Sequence, residues 1–341
     1  MINRNTEKYD PKYLFLSGVV KSRELELISA SKLERMRLSN SLSDFLGILS
    51  ETVYSDIVPL AKTSILFEQH LTERLFAFES ELLALASDDN LKKVFMVDYD
   101  FHNIKLLLMS YLSGRTMPDN GTSPGFLSAE ALKNSINEDD YSLLPELIKE
   151  SITGAKELFE KEKNMQKAIL YIDKSKYDIK LIIADRLKSG FLKDLAKTEI
   201  DLLNIALLFR AKMLGLDHTM FSELLLDKGY IETRTFLDLL DSTADAVAES
   251  FKASDYSDGI HEAVTEYKEK KSISSFEKYI RDTILRKAKE SSNYIFGFEP
   301  LVGLIYAKRY EIYNLKAVYI AKEYQLSEQE LSTRIGEAYA S

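Results

Sequence analysis

The 341-residue chain has no cysteine, no tryptophan, 13 glycines and 6 prolines. Without cysteine there are no disulfides, thiolate metal sites or cysteine nucleophiles, which fits a reducing compartment. Scarce glycine and proline mean few chain reversals, and that favours long helices over many short strands. Histidine is sparse too: His70, His102, His218 and His261. None stands in a Glu-x-x-His or His-Glu-x-x-His arrangement, so the ligand sets of helical di-metal and zinc-hydrolase sites are missing. No glycine-rich run precedes Lys-Ser or Lys-Thr, which removes the phosphate loop of P-loop enzymes. No cofactor or metal is expected.

Long uninterrupted apolar runs are also lacking. Ile200–Leu214 and Leu301–Ala321 come nearest, but the first carries Asp201, Asn204, Arg210 and Lys212, and the second Lys308, Arg309, Glu311 and Lys316. So many polar and ionisable groups would be costly in hydrocarbon, and both segments read as buried helices of a protein that does not span a membrane. The stretch Met1 to Lys12 has no apolar core, which argues against a cleaved secretion signal. Net charge is −9, so a general phosphate-binding surface is not expected, and nor is a nucleic-acid partner, although a local basic patch is compatible with that charge.

What is present is a well-mixed composition, 45% hydrophobic and 29% charged, that suits a folded chain with a large core. Within it lies a repeat. Asp100-Phe-His-Asn103-Ile104, Asp201-Leu-Leu-Asn204-Ile205 and Glu311-Ile-Tyr-Asn314-Leu315 align without gaps, each an acid followed three residues later by Asn and then an apolar stretch. Gly114 and Gly215 stand eleven residues after the first two Asn; Gln325 takes that place in the third. A second element recurs in phase: Ile28–Leu33, Leu127–Leu132, Ile231–Phe236 and Leu326–Leu331, whose starts are 99, 104 and 95 residues apart. Ser29, Ser128 and Ser327 are N-cap candidates there, and Ser327 with Glu330 forms a capping-box pattern.

A period near 100 residues is domain-sized, not solenoid-sized. It predicts an all-α chain of three similar helical domains, residues 1–118, 119–217 and 218–341, the last with a fourth start element closing the chain. Three copies can surround a pseudo-threefold axis and leave a funnel at the centre. Thr198-Glu-Ile-Asp201 predicts a helix starting near Glu199 and ending before Gly215. The richest loop, Arg115–Gly125, is the linker candidate, with a second break near Asp227–Tyr230.

Asp100/Asn103, Asp201/Asn204 and Glu311/Asn314 then lie on helical faces, acid and amide together, within apolar surroundings. They are expected to be structural polar pairs that fix an adjacent segment; a triplicated active site is the alternative. Acidic groups such as Asp88-Asp89, Glu138-Asp139-Asp140 and Asp238…Asp241 do not show three acids in the pattern of helical isoprenoid enzymes and read as solvated surface. No catalytic residue is assigned.

The run Phe296-Gly-Phe298-Glu299-Pro300-Leu301-Val-Gly-Leu-Ile-Tyr-Ala-Lys308-Arg-Tyr-Glu311-Ile-Tyr-Asn314-Leu315-Lys316 resembles the C-terminal signature of the C-type subunit of archaeal and bacterial A/V-type ATPases, the relative of the eukaryotic d-type subunit. The copy Asp100–Lys105 and the opening Tyr13–Lys21 are similar to the same family. Phe298, Glu299, Pro300, Leu301 and Lys316 carry the signature. The resemblance implies a non-catalytic, funnel-like coupling component of the central stalk. Its partners would be the shaft subunits of D and F type and the membrane rotor ring of c/K type, with membrane association only through the ring, on the cytoplasmic side. Two other classes stay open: a helical scaffold unrelated to rotary motors, and a helical enzyme with an acidic metal site.

Overall fold

The computed structural model describes residues 13–86, 88–115, 125–294 and 297–339. Most of the Arg115–Gly125 linker, the start of the chain up to Lys12, and Phe296 of the signature lie outside the described residues. Among the described residues the chain is all-α, with no strand. The helices are α1 (Leu14–Glu24), α2 (Ala30–Arg37), α3 (Leu42–Leu49), α4 (Ser64–Ala84), α5 (Asp89–Ser113), α6 (Ala129–Glu138), α7 (Glu146–Glu162), α8 (Met165–Arg186), α9 (Gly190–Leu214), α10 (His218–Leu224), α11 (Thr233–Leu239), α12 (Ala244–Ser250), α13 (Ser257–Lys270), α14 (Ser274–Lys289), α15 (Glu299–Glu323) and α16 (Glu328–Ser332).

Local chemistry sets many of these ends. Ser29 and Ser128 accept from the N–H three residues on, and Ser327 and Glu330 form the complete capping box. Gly114 and Gly215 end α5 and α9 in the left-handed conformation, at φ +65° and +64°. Gln325 takes the same conformation at φ +53°, so the third long helix ends in the same way without glycine. The closing bond is shared as well: Arg115, Leu216 and Leu326 each donate to a carbonyl five residues back. The expected start of α9 near Glu199 is wrong. The helix begins at Gly190, capped by Ser189, and Thr198 is buried inside it. Phe191, Leu192, Leu195 and Ala196 carry the buried face back past Thr198, so burial overrides the local cap pattern.

The chain forms two compact units, residues 88–247 and residues 1–87 together with 248–341. In the second of these, α15 packs against α4, α1, α3 and α14. Its core holds Phe45, Phe67 and Tyr319, all fully buried: Phe67 stacks on Tyr319 at 4.3 Å, and Phe45 meets both edge-on at 6.2 and 6.4 Å. Leu331 and Ile335, from α16 and just beyond, join the same core as Leu33 and Met36 of α2. The other unit is built on α5 against α8, with α7 and α9 also on α8. Ile104, Leu108, Leu132, Ile136, Ile152 and Ile172 fill its core.

Charges inside the long helices are paired. Arg309 grips the fully buried Glu79 through Nε and Nη2 at 2.7 and 3.0 Å, tying α15 to α4. Lys308 meets Glu311 at 2.7 Å, and Lys316 donates to Thr72 at 2.8 Å. In the other unit Lys180 of α8 bridges Asp98 of α5 at 2.8 Å and Glu199 of α9 at 3.3 Å. Asp98, Glu199 and Arg309 all stand two residues before the repeat acid, so this position carries a paired charge in every copy, with its sign inverted in the third. Among the described residues no helix is long and apolar enough to cross a membrane.

Helix ends give a test. Replacing Gly215 by Ala forces a Cβ into a left-handed site and should cost about 1 kcal/mol, whereas Gln325→Gly should gain a similar amount. Denaturant midpoints of the two variants should move in opposite directions.

Candidate functional site

The three acids stand at equivalent points of α5, α9 and α15, and each does the same thing. Asp100 accepts from the N–H of Leu127 at 3.0 Å; Asp201 accepts from Tyr230 at 3.2 Å and Ile231 at 3.1 Å; Glu311 accepts from Ile28. Leu127, Ile231 and Ile28 are the first residues of the recurring start elements. The sequence repeat is thus one contact, in which a buried carboxylate holds the chain just ahead of a short helix. An acceptor is needed there, because a helix amino end has unsatisfied N–H groups and a positive dipole end.

The third acid does not hold the nearby start element at Leu326, whose N–H bonds Ala321 instead. It holds the first start element, from the opposite end of the chain. The last long helix and the first short helix accordingly lie in one unit.

The asparagines make a second contact, to the residue 22 positions on. Asn204 donates to the Leu226 carbonyl and accepts from its N–H, both at 2.8 Å, entirely buried. Asn314 accepts from the Gly336 N–H at 3.0 Å and donates to its carbonyl at 3.3 Å. Asn103 is buried with its amide beside Gly125, where a Cβ would lie 3.3 Å from Nδ2. Gly125 and Gly229, each two residues before a held residue, lie so close that a Cβ would collide with the Asp100 and Asp201 carboxylates. Sequence reading missed these two glycines, although their fixed offset from the start elements was a visible signal.

Electrostatics differ among the copies. Glu311 is surrounded by donors: Lys308 at 2.7 Å and the Tyr54 hydroxyl at 2.6 Å, besides Ile28. The Lys308 ammonium also lies 4.7 Å from the Tyr54 ring centre. Burial and the Glu311 carboxylate hold the Tyr54 phenol well above its ordinary value, so it stays protonated and donates. Among the described residues Asp100 has only backbone donors, and burial pushes its carboxyl up to about 6 despite the bonds from Leu127 and Phe126.

The signature residues gather at the start of α15. Phe298 precedes the helix and meets Tyr13 edge-on at 5.7 Å; Glu299 and Pro300 form its first turn, where an acid and a proline are both favoured. Leu301 is fully buried, and Lys316 lies further along, its amine held below the ordinary value by burial. Among the described residues no group of three or more His, Asp or Glu could hold a metal ion. His218 bonds Asp241 at 2.7 Å on the surface, and Asp88 caps α5.

Both the amide and the acid contacts can be tested. Asn204→Leu strands the N–H and carbonyl of Leu226 in the core and should cost about 2–4 kcal/mol, read from the denaturant midpoint. For Asp100 the folded carboxyl titrates above the unfolded one, so the folded state binds the extra proton between about pH 4 and 6. Its contribution turns unfavourable as pH rises through that window, by up to about 3 kcal/mol. Asp100→Asn should therefore be more stable than the parent above pH 6 and equal to it near pH 4; a gap independent of pH would contradict this.

The family described as ATP synthase (C/AC39) subunit matches residues 16–334. The C subunit of the A-type ATP synthase of Methanocaldococcus jannaschii is 24% identical over 94% of the chain and 85% of its own length. The C subunit of the V-type sodium ATPase of Enterococcus hirae is 24% identical over 96% of the chain and 99% of its own length. The corresponding A-type protein of Methanothermobacter thermautotrophicus is 30% identical over a shorter stretch, 36% of the chain and 32% of its own length. With the match running through all three acid–Asn pairs and the start of α15, the chain belongs to the ATP synthase (C/AC39) subunit family.

Proposed function

We propose that the chain is the non-catalytic coupling subunit of the central stalk of a rotary A/V-type ATPase. It joins the shaft subunits, of D and F type, to the membrane ring of c/K type, and passes rotation between the ion-driven ring and the nucleotide-hydrolysing head. It sits on the cytoplasmic face, one copy per complex, attached to the membrane only through the ring. Its three repeat modules surround a pseudo-threefold axis as a funnel that receives the foot of the shaft.

One observation carries this reading. The acid-to-helix contact is made three times, and the third joins the two ends of the chain. Three equivalent modules in a series closed on itself suit a part that seats a shaft. Near full-length similarity to the C subunits of an A-type ATP synthase and a V-type sodium ATPase supplies the setting. Torque passes through a part only if that part deforms little, and packed helices cross-tied by buried polar contacts are stiff.

An affinity tag on the chain, in its native host, should recover ring and shaft subunits from solubilised membranes. Membranes lacking the chain should lose ATP-driven ion uptake in vesicles while the head retains ATP hydrolysis. Recovery of neither ring nor shaft would overturn the proposal.

A further inference from the structure

Eleven residues after the acid, the second and third copies each carry a lysine, Lys212 and Lys322. Lys212 donates to the carbonyls of Leu240 and Ser242 at 2.6 and 2.5 Å. Lys322 donates to those of Arg37 and Ser39 at 2.7 and 2.6 Å. Counted from the residue that the acid holds, Ile231 or Ile28, these carbonyls occupy the same two positions, nine and eleven residues on. The match is residue for residue in two segments of unlike sequence.

We infer that Lys212 and Lys322 are positioning residues that complete a two-point clamp, the acid gripping the amino end of a short helix and the lysine its carboxyl end. Eleven residues of helix span about 16 Å. Acid and lysine are that far apart on α9 and α15, and they bond the segments just before and at or just after α11 and α2, so each short helix runs in the same direction as its long one. Each charge faces the dipole end of opposite sign, and the lysine takes one carbonyl at the helix end and one from the turn just beyond it. Burial pulls both amines below their ordinary value, so the charge is held there against a desolvation cost.

The first copy shows what replaces the lysine. Tyr111 stands at the equivalent place and has no ammonium to offer two carbonyls. There α6 ends at Asp139 in the left-handed conformation, and Lys156 reaches over from α7 to bond Asp139 at 2.7 Å while lying 4.5 Å from the Tyr111 ring centre. The clamp is therefore complete in two copies. In the third it fixes the register of the beginning of the chain on its last long helix, across more than 280 residues. None of this depends on the coupling role.

The test is limited thermolysin digestion of the full chain, with the first cuts mapped by mass spectrometry. Lys322→Met should speed cleavage within residues 37–41 about tenfold and leave 239–243 unchanged; Lys212→Met should do the reverse. Lys322→Arg, which still donates to two carbonyls, should restore the parent rate at 37–41. If Lys322→Met does not fold, Lys322→Gln and Lys212→Met carry the same comparison. Unchanged cleavage at the matching segment, or equal acceleration throughout the chain, would overturn the inference.

Discussion

A carboxylate buried in the middle of a long helix, bonded to the backbone just ahead of a short one, is the contact on which the rest of this protein depends. Burying an ionised or polar group without partners costs several kcal/mol, so such an acid survives only where donors are supplied. The donors here are backbone N–H groups that a helix start must satisfy somehow. Each contact removes two costs at once. It also locates a segment 27 to 30 residues away in the first two copies, and one at the far end of the chain in the third.

Around this contact the long helices are polar where polarity has a task. Asn204 and Asn314 pair with backbone 22 residues on, and Asp98, Glu199 and Arg309 anchor neighbouring helices through Lys180 and Glu79. The ionisable groups in Ile200–Leu214 and Leu301–Ala321 that argue against membrane spans include Arg309 of these anchors and two of the repeat acids, Asp201 and Glu311. A buried pair of this kind adds little net stability over an apolar one, but losing one partner is costly, so the pairs favour one arrangement over its near alternatives. For a part proposed to carry torque, a single stiff arrangement matters more than a few extra kcal/mol.

Much of this could be read from the sequence. Helical content, the acid–Asn pattern and the serine caps are local features, legible because their chemistry acts within one or two turns. The family was legible in the run from Phe298 to Lys316. The start of α9 was misread because a Thr-x-x-Asp pattern looks alike at a helix start and inside a helix, and only burial of Phe191 and Leu192 distinguishes the two. The clamp lysines and the glycines at 125 and 229 went unseen for another reason: their meaning lies in which distant segment each one faces. The sequence period likewise shows that the start elements recur, but not that Glu311 reaches back to Ile28.

Amide hydrogen exchange, resolved to single residues, tests the central contact most directly. The account predicts that the N–H groups of Ile28, Leu127 and Ile231 exchange at least about a hundredfold more slowly than unprotected amides, although each precedes its helix and has no helical bond of its own. Exchange of all three at the rate of open loop amides would contradict it.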